Sequence, residues 1–158
     1  MPRKRHPALA AVLWGGFIAG TIDIGAASLI SGYNPLVILK FIAGGVLGKA
    51  ALTGGPSIAV LGLLLQWVMS IIIAAIFVIA TRRRAALASQ WPIWGVIYGA
   101  IIFVVMNYVV VPLSALHAPP HFTTFSLIAN LAAMLLFGWI VALVARKSSQ
   151  FSALSSVR

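Results

Sequence analysis

The stretch "PLVILKFIAGGVLGKAAL", Pro35 to Leu52, is apolar enough to enter a membrane, yet it carries Lys40 and Lys49 and a glycine pair at Gly44–Gly45. Whether it crosses decides on which side every later element lies. Four other runs are long enough for a hydrocarbon core, which takes about 20 helical residues. They are Ala8–Ile30, Ser57–Ala80, Pro92–Val111 and Thr124–Val144.

The basic residues decide the matter. Cytoplasmic flanks of membrane helices are enriched in Lys and Arg. With four spans, Arg3, Lys4, Arg5, Arg82, Arg83, Arg84, Arg146, Lys147 and Arg158 all fall inside, and only Lys40 and Lys49 fall outside. A fifth span would throw Arg82–Arg84 to the far side. The expectation is an all-α membrane protein: one integral membrane domain over 1–158, with four transmembrane helices. A short interfacial or re-entrant helical segment, 35–52, joins the first two. Both termini are then cytoplasmic and the chain is multi-pass. Lys40 and Lys49 lie nine residues apart, about 180° around a continuous helix. A straight surface helix would bury one of them, which favours a break at Gly44–Gly45. Trp14, Trp91, Trp94 and Trp139 fall toward the inner interface and Tyr33 and Tyr108 toward the outer, as interfacial aromatics do. Trp67 is the exception.

Composition agrees. The chain has 158 residues, 62% of them hydrophobic and 8% charged, against roughly a quarter charged in a soluble domain. A formal charge of +10 would suit nucleic acid only if it formed a basic face on a soluble fold. Here it collects at the ends of apolar runs, so the expected partner is the lipid bilayer, with other membrane proteins or a second copy as further candidates, and no nucleic acid. There is no cysteine, which removes disulfides and thiolate chemistry. "MPRKRH" resembles the start of a secretory signal, but the apolar run after it is too long and contains Asp23; it reads as a retained span. "FSALSSVR", at the other end, reads as a flexible or surface-lying tail.

Helices in lipid associate through close packing, and small residues four apart let backbones approach. Gly16/Gly20 and Gly95/Gly99 are the expected packing positions, with Gly44/Gly48 a third such pair.

Asp23 is the only acidic residue. At a rise of 1.5 Å per residue it lies about 20 Å from the cytoplasmic side of a core roughly 30 Å thick. Asn107 and Asn130 come out about 9 Å beneath the outer face and Gln66 about 12 Å. Each span thus contributes one polar residue at a similar level. A charge at that depth normally faces the bundle interior or a wet cavity. The outer-side cations that could accompany Asp23 are Lys40, Lys49, His117 and His121, and pairing with Lys40 or Lys49 would tie the outer segment to the bundle. The alternative role for Asp23 is ligand or proton binding. His117 and His121 are four apart, but Pro119 and Pro120 between them break any helix, and no third ligand is near; they read as loop residues rather than a metal site.

The glycine-rich first span with its single acid, "FIAGGVLGKAALTGG" and "MNYVVVPLSAL" together resemble a group of small four-span bacterial inner-membrane proteins of uncharacterised function. The resemblance covers about Ala11 to Arg146; it implies fold and compartment, and it lends no catalytic residue. The residues themselves offer no acid/base pair, metal cluster, nucleotide loop or Ser–His–Asp set. No enzyme and no cofactor are expected. The expected function is that of a structural or accessory membrane component with a polar cluster around Asp23, such as an envelope-stress factor or a subunit of a larger complex. The alternative is a small transporter or a proton- or ion-conducting protein using Asp23.

Overall fold

The computed structural model describes residues 7–119 and 121–155. Arg3, Lys4, Arg5 and Arg158 lie outside the described residues. The architecture is helical, with no strand among the described residues: α1 (Pro7–Ser31), α2 (Pro35–Leu47), α3 (Pro56–Arg83), α4 (Ala85–Ser89), α5 (Trp91–Val105), α6 (Val111–Leu113) and α7 (Thr124–Ser155). A 3-10 turn, Gly48–Thr53, extends α2, and a π-helical turn, Met106–Val110, joins α5 to α6. Five helical stretches are long and apolar enough to cross a membrane: Val12–Ser31, Pro35–Thr53, Pro56–Arg83, Trp91–Leu113 and Thr124–Lys147. By length and composition alone, the segment expected to be short therefore counts as a fifth. The expected tail is helical as far as Ser155, continuing α7 instead of leaving it.

Contacts fix the direction of the long helices. Gly16 packs on Ile71, Gly20 on Ser70, and Asp23 on Gln66, so α1 and α3 run antiparallel. Gly95 faces Trp139 and Ala142, and Gly99 faces Leu135, so α5 and α7 also run antiparallel. Gly15 against Val144 sets α1 antiparallel to α7. One end of the bundle therefore gathers Arg82, Arg83, Arg84, Arg146 and Lys147. There Trp91 and Trp139 pack with ring centroids 4.9 Å apart, and the Arg146 guanidinium lies 5.6 Å from the Trp91 centroid. The opposite end gathers Ser31, Pro56, Leu113 and Thr124.

Four glycines expected at helix contacts are buried at crossings within the chain. A Cβ on Gly16 would stand 2.6 Å from the Ile71 Cα, and one on Gly99 would stand 2.7 Å from the Leu135 Cα. The α5–α7 crossing has a further member, Gly138, whose Cβ would lie 2.5 Å from the Gly99 nitrogen and 2.7 Å from its Cα. Beside these crossings Ala19, Ala74, Phe77, Val78, Phe137, Val141, Ala142 and Ala145 form a closed apolar core. Tyr98 donates from its hydroxyl to the Ile73 carbonyl at 2.7 Å, tying α5 to α3.

The segment after α1 begins where the Asn34 side chain accepts from the Leu36 N–H at 2.9 Å, with Pro35 in the first turn, where a missing N–H costs nothing. The helix does not break at Gly44–Gly45 as expected. It runs through both and ends at Gly48, whose φ of +73° is open to glycine at little cost. The glycine pair serves contact instead: Gly44 lies under Leu116, and the Gly45 carbonyl, freed near the helix end, accepts from the Ala115 N–H at 2.9 Å. Further along, Leu39 presses its backbone onto Gly62 of α3, and Ile24, Leu39 and Ala59 form a second small core. Segment 32–55 thus leaves and returns at the same end of the α1/α3 pair.

Gly138→Val should lower stability in detergent by about 1–3 kcal/mol, because the added carbons meet backbone that cannot yield. Gly25→Ala, where a Cβ meets nothing within 4 Å, should leave the melting temperature unchanged or slightly raised. Thermal unfolding of the two purified variants checks the contrast.

Candidate functional site

The helix ends opposite the basic cluster border a cavity of about 540 Å³. Asp23 of α1, Gln66 of α3, Asn107 of the π turn and Asn130 of α7 all line it. These are the four polar residues that the rise per residue sets at one level. Ser31, Ser114, Ser126 and His121 add hydroxyls and an imidazole, and Met69, Met106, Phe41 and Phe122 are among the apolar residues. Among the described residues neither lysine nor arginine lines it. Ser31, Pro119 and His121 are exposed and mark the mouth. A smaller space of about 30 Å³ lies against Asp23, Gln66, Ser70 and Met134. Below it the apolar core is closed.

The cavity lies beside the stretch that follows α5, where close packing gives out. Gly95 and Gly99 bring α5 onto Gly138, whereas Met106–Val110 bears no comparable glycine and packs extensively only on its own neighbours α5 and α6. The π turn has a cause of its own. A proline ring collides with the carbonyl four residues back, and for Pro112 that carbonyl belongs to Tyr108; a wider turn makes room. The Val111 N–H accordingly donates five residues back, to Met106. Asn107 stands in this turn, its amide donating to the Phe103 carbonyl at 2.9 Å.

Asp23 is half-buried, and Gln66 is 7% exposed. The Gln66 Nε2 donates to Asp23 Oδ2 at 2.8 Å and points toward the Gly20 carbonyl at 3.5 Å. This corrects the expectation of a counter-charge. Among the described residues Lys40 and Lys49 make no ion pair, and the acid is held by a neutral amide from the facing helix. The reason is geometric: α2 turns Leu39 and Ala43 inward, while Lys40 is half-buried and Lys49 exposed. The second oxygen of Asp23 takes no protein donor. Since no buried side-chain polar atom is left unpartnered among the described residues, that oxygen reaches the cavity.

Trp67, out of place as an interfacial aromatic, is accounted for by the same pair of helices. Its indole N–H donates to the Thr21 hydroxyl at 3.2 Å, and its ring lies 4.6 Å from that of Phe17. His117 is exposed, with φ of +48°, and His121 stands at the mouth; no group of metal ligands occurs among the described residues. Sequence reasoning missed Gly138, a single glycine with no partner four residues away, and the π turn. Pro112, directly after the polar "MNY", is the available signal for the latter.

Comparison with family models, with curated proteins and with solved structures gave no match. The site's chemistry therefore rests on its own geometry.

Gln66→Leu should destabilise the protein by about 1–3 kcal/mol, the cost of leaving a buried polar group unpaired. Lys40→Met and Lys49→Met should each change stability by less than about 0.5 kcal/mol, as surface substitutions do. Unfolding in mild detergent measures all three, and a lysine pair on Asp23 would reverse the order.

Proposed function

We propose that the chain is a polytopic protein of the bacterial inner membrane whose working part is a solute-binding cavity. Four spans, α1, α3, the α5–α6 unit and α7, cross the bilayer. Segment 35–53 dips into the outer leaflet and returns. The antiparallel pairing of α1 with α3 supports this count, because a fifth crossing would bring the start of α3 beside the start of α1 instead of its end. The clustering of Arg82–Arg84, Arg146 and Lys147 at one end supports cytoplasmic termini. The compartment follows the resemblance carried by "FIAGGVLGKAALTGG" and "MNYVVVPLSAL".

The single observation that carries the functional reading is that one polar residue from each of four helices lines one cavity of about 540 Å³, within the range of small-molecule sites. Asp23 is the anchor, Gln66 orients it, and Asn107 and Asn130 offer further hydrogen bonds. Such binding is the first step of transport, and we assign no enzymatic step to it. A structural or accessory role is the second reading, favoured by the buried apolar core that fills the cytoplasmic half of the bundle. Interaction through glycine faces has less support, because Gly16, Gly20, Gly95 and Gly99 are occupied within the chain.

The absence of cysteine makes the test clean. In intact cells Tyr33→Cys and Ser57→Cys should both react with a membrane-impermeant maleimide, and Arg84→Cys should react only after permeabilisation. Asn130→Cys should react from outside, more slowly. Tyr33→Cys and Ser57→Cys on opposite sides would establish five spans, and an inert Asn130→Cys would remove the accessible cavity.

A further inference from the structure

The walls of the cavity say what kind of molecule fits, given the reading of it as an accessible site. Asp23 presents one carboxyl oxygen that Gln66 does not occupy. No lysine or arginine of the wall answers it, and the other titratable side chain there, His121, stands at the exposed mouth. The surface around the acid is instead apolar and polarisable, with Met69 and Met106 beside it and the rings of Phe41 and Phe122 further out. Thioethers accommodate irregular apolar shapes, and aromatic faces attract cations. The wall therefore lacks one charge and is otherwise suited to hydrocarbon.

The rim adds a second constraint. Phe41 of α2 and Val110 of the π turn line the cavity and are also exposed on the outside of the bundle. Residues 106–110 have no extensive packing against α2. This side of the rim is therefore apolar, and in a bilayer Phe41 and Val110 would meet acyl chains.

We infer that the cavity takes a monovalent organic cation with an apolar body, its charge set against the free oxygen of Asp23. A metal ion is a poor occupant, since one carboxyl oxygen and neutral amides offer too few hard ligands. An anion meets the same carboxyl as a repulsion. The apolar body lies between Met106, Phe41 and Phe122, and Asn107 and Asn130 bound its polar side.

The test compares two probes of one shape and opposite charge. Tetraphenylphosphonium and tetraphenylborate are measured by equilibrium dialysis against the full chain in nanodiscs of zwitterionic lipid, with empty nanodiscs subtracted. Tetraphenylphosphonium should bind saturably at one site per chain, and triphenylphosphine oxide, its neutral relative, should not displace it. Asp23→Asn should weaken binding by about tenfold or more, as loss of one partner of a desolvated charge pair does. Should Asp23→Asn fail to fold, Ala27→Trp, which narrows the cavity wall next to Asp23 while leaving the acid in place, should abolish binding with its melting curve intact. Equal binding of tetraphenylborate, no saturable binding of the cation, or full retention of binding in a folded Asp23→Asn would overturn the inference. Because the maleimide reaction at Asn130→Cys requires no bound cation, a labelled but cation-blind cavity would refute this assignment alone. An unlabelled one would refute the reading beneath it.

Discussion

In a membrane the hydrophobic effect does not press one helix against another, and contact must come from shape. Here shape is supplied by the absence of side chains at a few places. Gly138 lies between Gly95 and Gly99, and Gly16 and Gly20 lie against Ile71 and Ser70. At Gly16, Gly99 and Gly138 backbone meets backbone, and dispersion summed over many close atoms replaces the missing solvent drive. The crossings are distributed unevenly along the bundle. They close the basic half and have no counterpart beyond Phe103, so the core at Phe77, Phe137 and Val141 and the cavity above it have one origin.

Within that cavity the polar groups are economical. A carboxyl in such surroundings demands a partner, and the chain supplies an amide from α3 rather than an ammonium from α2. The choice has a structural consequence. An ion pair would have bound the segment 35–53 to the acid and filled the space between them. The segment is instead attached through its backbone, by Leu39 on Gly62 and by the Gly45 carbonyl on Ala115. Its attachment and the acid's environment are thereby independent, and the space beside Asp23 stays open.

Much of the helical organisation is legible in the sequence because apolar runs of membrane length have few alternative structures. The level of Asp23, Gln66, Asn107 and Asn130 could be read for a similar reason: an α-helix converts residue number into depth at a fixed rate. What number cannot supply is direction around the axis. The partner of Asp23 depended on whether Lys40 or Leu39 faced inward, and the sequence of α2, apolar on nearly every side, does not say. Gly44–Gly45 looked like a break because glycine weakens an isolated helix; with Leu116 lying against the pair, the weakness is used for approach and the break falls at Gly48. Gly138 escaped notice because its two partners sit on another helix, where no spacing within its own run could reveal them.

The wide turn at Met106–Val110 accommodates one more residue than a regular helix would over the same length. It works as a counter between Phe103 and Pro112. Remove one residue from that interval and a regular helix fills the same length, which sets the Pro112 ring back against the carbonyl four residues before it. The surplus residue and the proline at 112 are therefore one constraint, and a deletion in this interval should be tolerated only where the proline is replaced as well.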